Sequence, residues 1–138
     1  MTTIKITNIK SQESMTNGLI KTIYVNKTVY IGLMDADGLF HGNGHYLDEF
    51  GNYYIGNFMH GKKHGLCKEM AWNTIFEGIY IDNKRNGIGK ETYVDKTWTE
   101  GNYLHNNRNG LFNFIDTDGI KYTRSYSNGE IILNPNKH

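Results

Sequence analysis

The sequence contains very little proline, cysteine and alanine. Among its 138 residues there are one proline, Pro135, one cysteine, Cys67, and only two alanines. A single cysteine cannot form an intramolecular disulfide, which excludes a secreted scaffold held together by disulfides and favours a reducing, cytoplasmic compartment. Few alanines, combined with 13% aromatic residues that include ten tyrosines, disfavour helices and favour strands.

The sequence also lacks a long apolar run and an excess of charge of either sign. Its N-terminus alternates polar and apolar residues, so neither a signal peptide nor a transmembrane segment is predicted. The formal net charge is +1, from 15 basic and 14 acidic residues. Any attraction to nucleic acid or to a membrane surface must therefore come from a local patch. The length suits a single domain.

Sixteen glycines are present, and many of them recur at a fixed spacing. The segments YIGNF, FEGIY and TEGNY place their glycines, Gly56, Gly78 and Gly101, at separations of 22 and 23 residues. A second glycine follows each of them nine residues later, at Gly65, Gly87 and Gly110. A fixed period of this length indicates tandem repeats, and strand, turn and strand within one period predict a β-hairpin per repeat.

The pattern continues outward with less regularity, which sets the expected domain boundaries. Residues 30–132 are predicted to form the repeat array, with four full units and a partial one. Residues 1–29 are interpreted as an N-terminal strand or cap region, and residues 133–138 as a polar C-terminal tail. The predicted fold class is all-β: a single-layer, twisted antiparallel sheet that forms an open meander with capping strands.

The repeated segments resemble the MORN (membrane occupation and recognition nexus) repeat family. Its units read aromatic-x-Gly-x-aromatic, then a Gly-Lys turn, then His-Gly-x-Gly, and the segment YIGNFMHGKKHG at residues 54–65 matches closely. Three departures are visible: Cys67 and Phe112 occupy positions of the last glycine, and Trp98 is displaced by one residue from the expected aromatic site. The resemblance implies scaffolding, self-association, membrane-proximal assembly or, in related small proteins, antagonism of a larger target.

The aromatic residues recur together with the glycines, which predicts aromatic ladders across the sheet. One ladder would contain Tyr30, Tyr54, Phe76 and Tyr122, and the other Met34, Phe58, Tyr80, Tyr103 and Tyr126. Glycine at alternate positions would let the rings lie flat across the backbone. Because a single sheet cannot bury both faces, we expect exposed rings that bind a partner protein. The predicted aromatic groove consists of Tyr54, Phe58, Phe76, Tyr80, Tyr103 and Tyr126.

Charged residues also follow the repeat. A basic edge is predicted from the residues expected in successive turns, Lys62, Lys63, Lys84, Arg85 and Arg108. The opposite edge would carry Asp48, Glu49, Asp95, Asp116 and Asp118. Such edges could orient an acidic protein, pair two copies, or bind phospholipid headgroups or nucleic acid. The favoured interpretation is that lysine-rich turns are simply part of the motif and keep the repeat soluble.

No convincing catalytic, cofactor or metal site is predicted. The segment from Gly56 to Lys62 has the spacing of a phosphate-binding loop, but Lys63 replaces the required Ser or Thr. Pairs such as His60 with His64, or His41 with His64, lack a recognisable ligand spacing. Cys67 with His64 would need an oxyanion pocket, which a thin sheet seldom provides.

The sequence therefore predicts a non-catalytic protein-interaction module, either a scaffold or an inhibitor. Another protein is the expected partner, and self-association is possible. Binding to anionic lipid or nucleic acid through the basic edge is the alternative function.

Overall fold

A computed structural model describes residues 8–133 and shows one sheet of twelve antiparallel strands in chain order. Each strand pairs only with its neighbours in sequence, and no helix is present between residues 8 and 133. The prediction of an all-β open meander is confirmed. The strands are β1 (Ile9–Ser14), β2 (Ile20–Tyr24), β3 (Val29–Met34), β4 (Phe40–Leu47), β5 (Tyr53–Met59), β6 (Lys62–Ala71), β7 (Thr74–Ile81), β8 (Lys84–Thr92), β9 (Trp98–Leu104), β10 (Asn107–Ile115), β11 (Lys121–Ser127) and β12 (Glu130–Ile131).

Two-residue turns join the strands within each central repeat. They consist of His60 and Gly61, Asp82 and Asn83, and His105 and Asn106, and all six residues have positive φ between 48° and 78°. Positive φ at both central residues defines the type I′ turn, whose twist matches that of paired strands. The turns are shorter than predicted, because the lysines and arginines expected in them belong to β6, β8 and β10.

The second glycine of each repeat lies at an irregularity in strand pairing. Gly65, Gly87 and Gly110 have φ of +91°, +96° and +100°, in a region that residues with a Cβ rarely adopt. At each of these points the pairing between the two strands of the repeat shifts, as between Gly56 and Phe58 on β5. Glycine is thus required here by backbone conformation, in contrast to the first glycine of the repeat.

The first glycine is required by the close approach of an aromatic ring or a neighbouring strand. A Cβ added to Gly78 would lie 2.5 Å from Cζ of Phe76 and 2.9 Å from the Cα of Gly89. A Cβ on Gly32 would lie 2.3 Å from the hydroxyl oxygen of Tyr30. All three distances are too short for non-bonded atoms, so the predicted packing of rings against glycine is present in the structure.

The departures from the repeat pattern in the third central unit compensate for each other. Thr99 takes the place of the aromatic residue and is fully buried. Phe112, which replaces the last glycine of that unit, directs its ring at Gly101, where an added Cβ would lie 2.5 Å from its Cδ1. The ring over the central glycine is therefore supplied from β10 instead of β9, and the pairing of these strands is maintained.

The N-terminal region joins the same sheet. The strand β2 pairs with β3, and β1 pairs with β2. The predicted cap region, residues 1–29, and the predicted polar tail, residues 133–138, lie only partly within the described residues. The division at residue 29 between cap and repeats stays a prediction.

We predict that Gly78→Ala destabilises the fold by about 2–3 kcal/mol, because the new methyl group meets Phe76 and the backbone of β8. Urea unfolding of both proteins measures the difference. Gly119→Asn is the matched control: Gly119 has φ of +79° with open space around it, so this change should cost less than about 1 kcal/mol. Equal losses at the two positions would contradict the packing argument.

We also predict that the fold loses stability above pH 10. Burial raises the pKa of Tyr24 and of Tyr30 to about 12, whereas unfolded tyrosine ionises near pH ~10. The unfolded state therefore releases protons first, and stability present below pH 10 is lost as the pH rises towards 12. Urea titrations at successive pH values, with tyrosinate absorbance followed in parallel, test this.

Tyr24→Phe is the comparison variant for this titration. The hydroxyl of Tyr24 is buried without a hydrogen-bond partner among residues 8–133, so its removal should leave stability at neutral pH unchanged or slightly increased. The variant should also lose less stability above pH 10 than the parent does. An identical alkaline decline in both proteins would show that Tyr24 does not contribute.

Candidate functional site

The six residues of the predicted aromatic groove all belong to the core. Their side chains are only 1% to 7% exposed, and they are Tyr54, Phe58, Phe76, Tyr80, Tyr103 and Tyr126. The prediction of an exposed groove is wrong, because the rings pack against one another and are covered by charged side chains from the same face. We call this side of the sheet the aromatic face.

The two predicted ladders merge into one zigzag of rings on the aromatic face. Consecutive rings make edge-to-face contacts with centroids 4.8 to 6.1 Å apart, within the favourable range for aromatic pairs. The order is Tyr30, Phe58, Tyr54, Tyr80, Phe76, Tyr103, Phe112 and Tyr126. Two predicted ladder members are exceptions. Tyr122 is 40% exposed and stacks on Phe114 at the end of the array, and Met34, which has no ring, packs against the core. The zigzag explains how one sheet buries so many rings.

A polar cover lies over the central rings, and we call it the polar lid: Lys63, Glu69, Arg85, Glu91 and Arg108. The three cations are the cross-strand partners of Phe58, Tyr80 and Tyr103. The guanidinium of Arg85 lies 3.9 Å from the ring centroid of Phe76, and the amino group of Lys63 lies 5.0 Å from those of Tyr54 and Tyr80. These are cation–π distances.

The two glutamates of the polar lid neutralise the cations and bind tyrosine hydroxyls. Glu91 accepts contacts from Arg85 at 3.3 Å and from Arg108 at 3.5 Å, and the hydroxyl of Tyr103 donates to it. Glu69 forms an ion pair with Lys63 and accepts a hydrogen bond from the hydroxyl of Tyr80. Burial lowers the pKa of Lys63 to about 8. The lid is thus a satisfied network.

The predicted basic edge is only partly present. Lys62 and Lys84 are exposed beside the two-residue turns. Lys63, Arg85 and Arg108 were expected beside them, but their side chains extend across the aromatic face instead. The reason is the alternation of side chains along a strand, which sends neighbouring residues to opposite faces.

The acidic residues predicted on the other edge lie in its turns, where they shape the backbone. One carboxylate oxygen of Asp48 accepts the backbone N–H groups of Phe50 and Asn52, and Asp116 does the same for Asp118 and Ile120. Such Asp side chains mimic a backbone turn. These carboxylates therefore have a structural role whether or not they meet a partner.

The face opposite the aromatic face carries exposed apolar side chains in repeat positions, and we call it the open face. Leu66, Ile88 and Leu111 are 75%, 60% and 59% exposed, and they follow the second glycine of successive repeats. Exposed apolar side chains that recur in register differ from the scattered ones of an ordinary surface. The sequence analysis did not identify this face, although strict alternation about the aromatic positions could have indicated it.

A row of charged residues crosses the centre of the open face, and we call it the charge row. It consists of Lys68 on β6, Glu77 on β7, Lys90 on β8 and Glu100 on β9. Each residue is directly opposite the next across the strand pairs. Between residues 8 and 133 no ion pair is formed between any two of them within 4.0 Å. The sign alternates from strand to strand.

The histidines form a cluster that sequence reasoning missed. His60 lies near Asp35 and His41, with a histidine-to-carboxylate contact of 3.0 Å between Nδ1 of His60 and Oδ2 of Asp35. His64, whose spacing from either histidine predicts no metal site, lies 3.9 Å from Asp82 in the next repeat.

Burial raises the pKa of the Cys67 thiol to about 11, which disfavours the thiolate that a nucleophile needs.

The geometry defines a class of protein: a non-helical array of tandem β-hairpin repeats with one packed and one open face. The sequence profile of the MORN repeat matches residues 36–49, 54–70 and 76–98. These segments are MORN repeats, and the predicted resemblance is confirmed. MORN repeats form a non-enzymatic family of interaction modules. Over residues 8–133 there is no helix with the length and apolar character needed to cross a membrane.

One curated relative shares part of the sequence. The chain is 40% identical over 72 residues to the inactive protein tyrosine kinase pTKL of Plasmodium berghei (strain Anka). The match covers 51% of this chain but 5% of that protein. The chain therefore spans only a small part of the length of this relative.

We predict that Glu91→Gln destabilises the fold by about 2–3 kcal/mol, because Arg85 and Arg108 would lose the buried carboxylate between them. Chemical denaturation provides the measurement. Glu49→Gln, at an exposed turn position without an ion pair within residues 8–133, is the control and should change stability by less than about 0.5 kcal/mol. A similar small effect at both positions would contradict the role assigned to the lid.

Proposed function

We propose that the chain is a non-catalytic protein-interaction module whose open face pairs with the open face of a second copy. The observation that supports this is the charge row. From β6 to β9 the signs are positive, negative, positive, negative. From β9 to β6 every position has the opposite sign, so a row in one direction is complementary to the same row in the other direction. A second copy related by twofold symmetry presents that reversed order.

A twofold axis parallel to the strands, between β7 and β8, brings the two rows together. It places β7 of one copy opposite β8 of the other, and β6 opposite β9. Glu77 then faces Lys90 of the second copy, and Lys68 faces Glu100. All four charge contacts across such an interface are attractive, which fixes both orientation and register.

Apolar side chains flank the charge row on both sides. Leu66, Ile79 and Ile88 lie on one side of it, and Met70, Ile75 and Trp98 lie on the other. Sheets that pack face to face are separated by ~10 Å, so these side chains from two copies would meet and exclude water. The charge row alone would stabilise an isolated sheet, but the exposed Leu66 and Ile88 favour a partner. The other four flanking side chains are half-buried.

The alternative function, binding of anionic lipid or nucleic acid, has less support. Three of the five residues expected on the basic edge belong to the polar lid. Their charges are neutralised there by Glu69 and Glu91. Lys62 and Lys84 are left as the exposed cations of that set. The cytoplasmic location stays a prediction that depends on the single cysteine.

We predict a concentration-dependent dimer in the roughly micromolar range, as expected for an interface of modest area. Lys90→Glu and Glu77→Lys should each be monomeric, because each homodimer would contain two repulsive contacts. An equimolar mixture of the two variants should dimerise again, because all four contacts in the mixed pair are attractive. Sedimentation velocity of the separate and mixed proteins provides the measurement.

The mixing step distinguishes an interface from a purely internal role of the charges. If the row only stabilises each sheet, mixing two weakened variants cannot restore association. Lys27→Glu, in the turn before β3 and outside the row, is the control and should dimerise like the parent. A parent protein that remains monomeric, or a mixture that does not associate, would contradict the proposal.

A further inference from the structure

Three potential metal ligands meet at the junction between the first two repeats. Asp35 follows β3, His41 lies on β4, and His60 lies in the turn between β5 and β6. One donor atom from each side chain lies within 4.8 Å of the others. Asp35 and His60, the two most distant of these residues, are 25 positions apart in the sequence. Only the pairing of β3, β4 and β5 brings the three together.

The backbone holds two of these side chains in place. Oδ1 of Asp35 accepts the N–H groups of Asp37 and Leu39, which leaves Oδ2 directed at Nδ1 of His60 at 3.0 Å. The turn that carries His60 is itself attached to β4, because the N–H of Gly61 donates to the carbonyl of Phe40 at 2.8 Å. The donors are therefore ordered before any ligand arrives.

The third side chain has an unsatisfied nitrogen. Nδ1 of His41 is buried and has no hydrogen-bond partner within residues 8–133. The ring of His41 lies 5.4 Å, centroid to centroid, from that of His60. Buried polar atoms without a partner are uncommon. Nδ1 of His64, at the same position of the next repeat, also lacks a hydrogen-bond partner within residues 8–133. The adjacent carboxylate and second imidazole are therefore what distinguish His41.

The other repeats provide an internal comparison, because each junction places three residues at the same positions. The next junction contains Met59, His64 and Asp82; the following two contain Ile81, Asn86 and His105, and Leu104, Asn109 and Asn128. None of these three sets combines a carboxylate with two imidazoles. The donor set is specific to the first junction and is not a requirement of the repeat.

We propose that Asp35, His41 and His60 bind a divalent cation of the zinc class, with a fourth position open to water or to a donor from another molecule. Two imidazoles and one carboxylate are ligands that zinc accepts at about 2.0–2.2 Å. Neighbouring ligands of a tetrahedral ion are then ~3.4 Å apart. The 3.0 Å contact between Asp35 and His60 is already close to this value. The donor atom of His41 lies within 4.8 Å of both, so the His41 side chain would move towards them when the ion binds.

Calorimetric titration of the tag-free full chain with zinc chloride tests the proposal. We expect one zinc ion per chain, and a visible absorption spectrum of a tetrahedral complex when cobalt replaces zinc. Each of Asp35→Asn, His41→Asn and His60→Asn should weaken zinc binding by at least about tenfold. The two histidine replacements introduce the residues found at the same positions in the last junction. Asparagine in place of Asp35 keeps an oxygen that can accept the N–H groups of Asp37 and Leu39, which favours retention of the fold.

His105→Asn is the matched control, because it removes a turn histidine from a junction that lacks the other two ligands. It should bind zinc like the parent protein. Circular dichroism and urea unfolding of every variant show whether lost binding reflects a lost site or a lost fold. Unchanged zinc binding in all three site variants, or an equal loss in the control, would overturn the proposal.

Discussion

The contact between an aromatic ring and a glycine backbone is the constraint on which this structure depends. A ring can lie against the strand only where the facing residue has no Cβ, as at Gly78 beneath Phe76. When the rings lie flat against the backbone, rings from adjacent repeats can meet edge to face and bury one another. A single layer of sheet then has a packed core without a second layer, which most β proteins require.

The buried rings also determine what each face can do. The rings and the polar lid leave little free surface on the aromatic face, since Glu69 and Glu91 already satisfy its cations and hydroxyls. The open face has no such cover and exposes apolar side chains such as Leu66. A partner is therefore expected to bind the open face and not the face that carries the recurring aromatic residues. The recurring residues of the repeat motif stabilise the fold, and the residues between them carry the proposed function.

Irregularities in the repeat show how much variation the constraint allows. Phe112 supplies from β10 the ring that Thr99 cannot supply from β9, so the requirement is for a ring over the glycine and not for a particular residue. At the first junction, replacement of the usual apolar or amide residues produces the cluster of Asp35, His41 and His60. Repetition places the same three positions close together at each junction, although the connection from β3 to β4 is longer than the two-residue turns of later repeats. A change of side chains there can provide the proposed site without a change of fold.

The sequence by itself determined the hairpin array, the positions of the glycines and the order of the strands. These depend on local periodicity and on neighbours in the chain, which a sequence records directly. Only the tertiary structure decided which side chains are accessible, because burial of Tyr80 or Lys63 depends on rings and charges from adjacent repeats. The contact between Asp35 and His60 could not be predicted for the same reason, because it depends on strand pairing and not on spacing along the chain.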